Sequence, residues 1–304
     1  MKTLINNLLV AAICIMASTV CASSQTRSKE HSLSPFEGIE ASDGFRVSIS
    51  KGDTYNAKLT MDDALESYVE CYVKAGVLHL GLDEKNVPKD LKKQYKGKNS
   101  PERTLVAVIT MPVLKSLTLN DESEFFSAAD LAVGDLAITM TGSSSINNLK
   151  LFGKSLDLNV TRNARFSNAG VNVENDVKVT TDGKGGIAME CHAANIGITA
   201  AGASEINIKG CVDEKITISP TGSSKITVAG NSKVLEVNGK GTSSKVDASA
   251  LETEEATLAV TGVDVDVWAS KSLELDLGRG SEVVFAGEPA IKIIKIQSAS
   301  VLRK

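Results

Sequence analysis

Apolar and polar residues alternate with a period of two along most of the chain after residue 110. The alternation is strict at residues 156–160, 263–267 and 273–277, where Asp, Asn or Glu separates Leu or Val residues. Such alternation is typical of β-strands with one buried side and one solvent-facing side. β-Branched residues dominate the buried positions, as pleated strands favour. The pattern predicts an all-β protein.

A short polar turn recurs about every 20 residues between these strands. It reads TGSSSI at residues 141–146 and TGSSKI at residues 221–226. One anchor residue marks each copy, and the anchors are Asp121, Gly142, Arg162, Gly183, Gly202, Gly222, Gly241, Gly262 and Gly280. The interval between successive anchors is nearly constant from the first to the last. A repeat of this length is typical of a solenoid, in which each coil stacks on the preceding one.

The strands and the repeat together predict a right-handed parallel β-helix, or β-solenoid, with about 20 residues per coil. Stacked strands lie about 4.8 Å apart, so nine coils would form a rod of about 40 Å. Gly suits the corners because it adopts a positive φ at little cost, and the Ser and Thr residues after it can bond to nearby backbone groups. One buried column is predicted to contain Phe125, Ile146, Phe166, Ile187, Ile206, Ile226 and Val246.

The first third of the chain has a different pattern and is divided as follows. Residues 1–22 are predicted to be a signal peptide, residues 23–34 a flexible lead, and residues 35–110 an N-terminal β region packed on or continuous with the solenoid. The solenoid repeats then occupy residues 111–296, and residues 297–304 form a tail. Strands are predicted at residues 45–49, 57–60, 68–73, 77–82 and 105–110, with a short helical turn at 62–66 and hairpin turns at 51–53 and 74–76.

A solenoid needs both ends covered, because an open coil exposes unpaired strand edges. The N-terminal region is expected to cover one end, and residues 291–296 with the tail the other. The loop at residues 83–101 carries six lysines: Lys85, Lys89, Lys92, Lys93, Lys96 and Lys98. It is interpreted as a solvated insertion, the alternative being a patch for an anionic partner.

The first 22 residues have the features of a secretory signal. Lys2 supplies a positive charge, and residues 8–20 form an apolar run too short to span a bilayer. Cleavage is expected after Ala22, which leaves no transmembrane segment in the mature chain. The alternative is a lipoprotein signal ending at Cys21, although Val20 occupies the position where a small residue is normally required. The signal therefore predicts export to the periplasm, the outer membrane or the cell surface.

Composition excludes several classes of protein. The chain is 42% hydrophobic, with a formal net charge of −4, which excludes a disordered chain and a nucleic-acid binder that depends on bulk positive charge. Aromatic residues make up only 4%, so the stacking residues typical of binding interfaces are scarce. Length and composition therefore indicate a large folded core and no nucleic-acid partner.

Candidate reactive groups are few. Cys71, Cys191 and Cys211 follow the signal, and an odd number does not make a disulfide framework. Cys191 and Cys211 are separated by one repeat length and are interpreted as small buried side chains. The alternative is a disulfide that joins these two cysteines on adjacent coils. His192 follows Cys191, but one such pair is a weak signal for nucleophilic chemistry. We expect no catalytic, cofactor-binding or metal-binding residues.

Asp264 and Asp266 are the nearest pair of carboxylates on one strand face. β-Helical enzymes that act on carbohydrates place clustered carboxylates in a groove along the rod. The alternating pattern favours a simpler interpretation, in which both belong to the ordinary solvent-facing side of a strand.

Several segments resemble the GIN domain family. They are FEGIE at residues 36–40, GFRVSI at 44–49, YVECYV at 68–73, GVLHL at 76–80 and VITMPVLKSL at 108–117, with Ile-Asn after the turns at 146–147 and 206–207. The resemblance covers about residues 36–290. It implies a β-helical fold and the head domain of an auto-transporter adhesin, without an agreed active-site motif. A self-exporting protein also needs a translocator barrel, for which no residues remain after 296.

The function expected from the sequence is an exported, non-catalytic adhesion or binding module of the cell envelope. A surface glycan or an envelope protein would be its partner. The alternatives are a carbohydrate-active β-helix enzyme and a structural envelope protein that binds another protein.

Overall fold

The computed structural model describes residues 25–97, 100–127, 129–298 and 300–304. The signal peptide predicted at residues 1–22 and the lipidation alternative at Cys21 lie outside them. The protein is nearly all β, with a β-solenoid of about nine coils and about 20 residues per coil, as the sequence predicts. Within the described residues, the two helices are a 3-10 helix at Asp63–Tyr68 and α1 at Lys89–Gln94.

Twenty-three strands form one continuous sheet that winds around the core. In chain order they are β1 Thr26–Ser32, β2 Gly38–Ala41, β3 Arg46–Lys51, β4 Asn56–Asp62, β5 Val69–Lys74, β6 Val77–Leu82, β7 Leu105–Met111, β8 Ser116–Leu119, β9 Glu124–Phe126, β10 Leu131–Ala132, β11 Asp135–Met140, β12 Ser145–Asn147, β13 Lys150–Gly153, β14 Ser155–Arg162, β15 Arg165–Val173, β16 Asp176–Gly183, β17 Gly186–Ala200, β18 Glu205–Gly222, β19 Lys225–Trp268, β20 Ser272–Leu277, β21 Glu282–Ala286, β22 Ala290–Ile296 and β23 Val301–Arg303.

Parallel pairing divides the solenoid into three faces. Face 1 contains β2, β8, β11, β14, β16, the later parts of β17 and β18, and finally β20 and β22. Face 2 begins with β3, β9 and β12 and ends with β21 and β23. Face 3 contains β10, β13 and the second half of β15. β17, β18 and β19 are long because their pairing continues around corners from one face to the next.

The predicted buried column is confirmed on face 2. The register stacks Phe125, Ile146, Phe166, Ile187, Ile206 and Ile226 directly on one another, each at most 2% exposed. The amide of Lys245 donates to Ser224 O, as that of Lys225 does to Ser204 O, so buried Val246 continues the column. Burying one such side chain contributes about 1.5–3 kcal/mol, so the columns are the main source of stability.

The anchor residues form the corner between faces 1 and 2. Eight of the nine have a positive φ: Asp121, Gly142, Arg162, Gly183, Gly202, Gly222, Gly262 and Gly280. The positive φ is only part of the reason for glycine. A Cβ on Gly202 would lie 2.7 Å from the backbone of Gly183, so the corners stack backbone on backbone. Gly241, in the stretched copy, is the exception and continues a strand instead.

A buried serine follows most anchors, and several of these serines bond within the corner as predicted, whereas Ser123 Oγ and Ser144 Oγ have no hydrogen-bond partner among the described residues. Ser244 Oγ donates to Gly222 O at 3.1 Å and lies 3.3 Å from Ser224 Oγ on the preceding coil. Ser281 Oγ donates to Val260 O at 3.2 Å. These bonds satisfy polar groups that the tight corner removes from water.

The N-terminal region is continuous with the solenoid and closes its first end. β2 and β3 pair with β8 and β9 of the first coil, while antiparallel β4 adds to β7 and the β5–β6 hairpin adds to β2. Leu65 of the 3-10 helix is 1% exposed beneath this cover. The hairpin turn at 74–76 is confirmed by positive φ at Ala75 and Gly76.

Three local expectations differ from the structure. Residues 51–53 do not make a hairpin, because β7 lies between β3 and β4. Residues 26–32 of the expected flexible lead form β1, which pairs along its whole length with β4. The charged insertion contains α1, whose following residue Tyr95 packs against the core and donates its hydroxyl to buried Asp62 at 3.0 Å.

Candidate functional site

A concave groove on face 3 has a volume of about 620 Å³. Its walls come from four successive coils, through β13, β15, β17 and β18. The residues that line it are Asn148, Lys150, Asn168, Ala169, Gly170, Ala188, Met189, Glu190, Asn207 and Lys209. It is open along the surface and therefore suits an extended ligand better than an enclosed one.

The groove exists because small residues meet on adjacent coils. Gly170 stacks between Lys150 and Glu190, and Ala188 stacks on Asn207, so each of two neighbouring solvent-facing columns contains one small residue here. The register also shifts between Phe166 and Ala169, which widens the surface locally.

Two asparagines at the rim have left-handed backbones, with φ of 58° at Asn148 and 51° at Asn168. Asn tolerates this conformation better than most residues with a side chain. Asn168 Nδ2 also donates to Asn147 Oδ1 at 2.8 Å, which fixes the amide in place. The turn therefore presents preorganised amide groups at one edge of the groove.

The lining includes several polar groups and carries both signs of charge. Asn148, Asn168 and Asn207 supply amides, while Lys150 and Lys209 supply two ammonium groups. Glu190 is the single carboxylate. None of the ion pairs within the described residues includes Lys150, Glu190 or Lys209. These groups are exposed and can hydrogen-bond to a polar ligand without first breaking an internal ion pair.

A second, smaller cavity of about 350 Å³ contains the protein's one tryptophan, Trp268. Asp213, Glu252 and Glu254 surround it together with Lys233. Glu254 is held by Lys271 at 2.6 Å. Among the residues described, no group of three or more His, Cys, Asp or Glu is arranged to hold a metal ion.

Asp264 and Asp266 lie on the solvent-facing side of face 2, away from both cavities. Asp266 Oδ2 makes an ion pair with Lys245 Nζ at 2.9 Å. This contact raises the pKa of Lys245, chiefly through its hydrogen bond to Asp266. Ser249 similarly lowers the pKa of the nearby Asp247 by hydrogen bonding to its carboxylate. The arrangement stabilises charged groups at a surface.

The three cysteines among the described residues, Cys71, Cys191 and Cys211, have free thiols. The register pairs Cys191 with Gly210, and His192 with Cys211. Successive residues of a strand point to opposite sides, so Cys191 is buried while Cys211 and His192 face solvent. Burial raises the pKa of the Cys191 thiol to about 12, and that of Cys71 to about 11. The structure thus separates Cys191 from its neighbour His192.

The positive charge of the insertion at residues 83–101 is partly neutralised by acidic residues within the insertion. Glu84 accepts from Arg103 Nη1 at 2.7 Å and lies 3.4 Å from Lys92 Nζ. Although partial burial opposes the effect, these two cations lower the pKa of Glu84. Lys93 pairs with Asp90 at 3.4 Å. Lys98 lies outside the described residues. The insertion is anchored to the N-terminal cover through Tyr95 and buried Val87.

A protein-family model described as "Putative auto-transporter adhesin, head GIN domain" matches residues 35–232 and 171–289. Together these matches span the N-terminal region and nearly the whole solenoid. The chain belongs to this family. The resemblance noted from its sequence segments is thereby confirmed. A search of curated proteins finds no match.

Solved structures with a similar course of the chain come from Parabacteroides species. A "putative adhesin" from Parabacteroides merdae shares 15% identity with this GIN-domain protein, with a TM-score of 0.47 and coverage of 94% of this chain and 98% of that one. A "putative adhesin" from Parabacteroides distasonis shares 18% identity, with a TM-score of 0.47 and coverage of 93% and 98%. A "Putative lipid binding protein" from Parabacteroides distasonis shares 17%, with a TM-score of 0.45 and coverage of 94% and 99%.

The sequence analysis did not find the groove of this GIN domain. Its lining residues carry no motif, and their proximity depends on the register between successive coils. The available signal was the presence of two small solvent-facing residues, Gly170 and Ala188, on successive coils. No helix in the described ranges is long and apolar enough to cross a bilayer.

Proposed function

We propose that this GIN-domain protein is an exported, non-catalytic binding module of the bacterial cell envelope, and that it holds an acidic glycan in the face 3 groove. The observation that carries the proposal is a row of exposed charged groups along that groove that take part in no ion pair among the described residues, with Lys150 and Lys209 on either side of Glu190. Membership of a family of adhesin head domains supports a role in binding.

The chemistry of the lining suits a sugar chain that carries carboxylates. Asparagine amides donate and accept hydrogen bonds and can serve the hydroxyl groups of a sugar. The two ammonium groups supply charge-assisted bonds to carboxylates, which are about twice as strong as neutral ones. The long, open shape of the groove lets a chain cross several coils of the rod.

A glycan array probed with residues 25–304 tests the proposal. We expect acidic polysaccharides to bind and neutral ones to bind weakly. The double variant Lys150→Glu, Lys209→Glu should lose at least about tenfold in affinity, since each charge-assisted bond contributes about 1.5–3 kcal/mol. Lys240→Glu is the matched control, because Lys240 is exposed and lies outside the groove, at a corner of the coil that follows the one carrying Lys209.

Two results would contradict this assignment. One is the absence of any glycan that the double variant binds less tightly. The other is capture of an envelope protein whose binding is unchanged by the double variant, which would favour the alternative of a protein-binding envelope component.

The non-catalytic part of the proposal is supported by the small number of carboxylates in the groove. Hydrolysis of a glycosidic bond ordinarily uses two carboxyl groups on either side of the bond, and only Glu190 lines the groove. Incubation with the bound polysaccharide should release no new reducing ends. Turnover that Asp264→Ala or Asp266→Ala abolishes would overturn this part.

Export is tested on the natural chain. Mass spectrometry of the mature protein should show an N-terminus at Ser23, whereas a lipid-modified Cys21 would establish the lipoprotein alternative. Labelling of intact cells with a reagent that does not cross membranes then distinguishes a surface protein, which is labelled, from a periplasmic one.

A further inference from the structure

The C-terminal end of the solenoid differs from the rest of the surface in its apolar exposure. Every residue of β22 is exposed, including four isoleucines. Five of the nine large apolar residues exposed in the described ranges belong to this last coil; they are Ile291, Ile293, Ile294, Ile296 and Val301. A monomeric soluble protein rarely leaves such residues clustered at one place.

Three of the isoleucines are exposed because they continue the buried columns beyond the last covered coil. Leu273 pairs with Ile291, Leu275 with Ile293 and Leu277 with Ile296. The three leucines are completely buried, whereas Ile293 is 54% exposed. In the register, Ile293 continues the column of Leu275. No strand of the described chain pairs with the outer edge of β22. One further strand on that edge would bury these side chains.

The first end of the solenoid lacks this feature. There β1 forms the outer edge of face 2, and its residues Arg27, Lys29 and Glu30 are exposed charges. Charged edge strands prevent pairing with other chains. The apolar composition of β22 is therefore specific to the C-terminal end.

The charges of the last coil indicate what kind of strand fits. Residues 289–304 contain four cations, Lys292, Lys295, Arg303 and Lys304, and no acid. Lys292 pairs with Glu274 at 2.7 Å and Arg303 with Glu282 at 3.0 Å, both on the preceding coil. Lys295 lies opposite Asp276 in the register. The last coil thus carries cations, and the acids that face them lie on the preceding coil. A strand that carries acidic residues would therefore complement the charge of the outer edge.

A second copy of the same end fits poorly. Antiparallel pairing of β22 with itself keeps the apolar sides together when Ile291 lies opposite Ile296 of the other copy. That register brings Lys292 opposite Lys295 of the other copy, twice across the symmetric interface. Like charges directly opposite on a sheet are destabilising.

We propose that β22 is a docking edge for a β-strand of a partner protein, in which aliphatic residues face the isoleucines and acidic residues lie opposite Lys292 and Lys295. Backbone hydrogen bonds along the edge supply affinity, and the alternating side chains supply specificity. β20 shows the required pattern within the protein itself. It reads SLELDL, and its Glu274 and Asp276 lie opposite these two lysines on the inner edge.

A fluorescent peptide containing SLELDL tests the proposal by anisotropy with residues 25–304. A peptide containing SLKLKL is its charge-reversed control. We expect the acidic peptide to bind at least about tenfold more tightly. The double variant Lys292→Glu, Lys295→Glu should reverse that order. Ile293→Thr should weaken the acidic peptide with little effect on the melting temperature, because Ile293 is already half exposed.

Three outcomes would overturn the proposal. They are equal binding of the two peptides, no binding of either at millimolar concentration, and a stable dimer in analytical ultracentrifugation that Ile293→Thr dissociates. The last would show that a second copy occupies the edge. None of these measurements involves the face 3 groove, so they leave the proposed function independent.

Discussion

At the scale of single residues, the corner glycines are required for two separate reasons. Gly222 has a φ of 76°, and a Cβ on it would lie 2.8 Å from Gly202 O of the preceding coil. Gly222→Ala should therefore destabilise the protein by about 1–3 kcal/mol, measured by urea unfolding. Gly197→Ala is the matched control, since its Cβ would meet nothing within 4 Å. We expect Gly197→Ala to leave stability unchanged or raise it by up to about 1 kcal/mol. Equal effects of the two substitutions would contradict the backbone-on-backbone corner.

The cysteines give a second prediction at this scale, because burial alone distinguishes their reactivity. At pH 8, iodoacetamide should modify Cys211 rapidly and leave Cys191 intact, since only the thiolate reacts and burial raises the pKa of Cys191 to about 12. Mass spectrometry of tryptic peptides measures both sites. Cys211→Ser should abolish the rapid reaction, and urea should expose all three thiols. Rapid native labelling of Cys191, or a disulfide between it and Cys211, would contradict the register.

At the scale of elements, the N-terminal cover is held partly by a hydrogen bond between two of its segments. Tyr95, after α1, donates to Asp62, which also accepts from the amide of Thr104 at 3.1 Å. Tyr95→Phe should cost about 1–2 kcal/mol, as for a bond to a charged group at a partly exposed site. Tyr72→Phe, at a tyrosine that stacks on His79, should cost nothing measurable.

The same bond predicts how stability changes at alkaline pH. Burial first, and then Asp62, raise the pKa of Tyr95 from 10 to about 12. The neutral hydroxyl is therefore favoured in the folded state, and its contribution is complete below pH 10 and lost as the pH rises towards 12. Unfolding free energies measured from pH 9 to 12 should fall more steeply for the parent chain than for Tyr95→Phe. Parallel curves would contradict the assignment.

The elements also show where sequence reasoning succeeds and where it stops. Strands such as β6 and β20 and the column through Ile146 and Ile206 could be predicted, because a local repeat determines which residues stack. β1 could not, since its sequence is polar and it is ordered only by pairing with β4. The groove could not either, because the placement of Gly170 opposite Glu190, in the column next to that of Ala188, depends on a register shift after Phe166 that no local pattern indicates.

At the scale of the whole molecule, each coil contacts mainly the coils on either side, so stability should be nearly a sum over coils and their interfaces. Deletion of residues 205–224 removes one complete coil. Lys225 then follows Ser204, a serine that is buried at the corner as Ser224 is, so the column passes directly from Ile187 to Ile226. The shortened protein should keep its β-sheet circular dichroism and unfold cooperatively.

Deletion of residues 205–214 is the matched control, because it removes half a coil and places face 1 residues where face 2 residues belong. Buried side chains would then no longer stack on buried side chains of the next coil, nor solvent-facing ones on solvent-facing ones. We therefore expect aggregation or loss of the cooperative unfolding transition. If both deletions unfold the protein, the coils are not interchangeable units, and stability depends on long-range cooperation from the N-terminal cover to β22. If both fold equally well, the columns of equivalent residues do not determine the register.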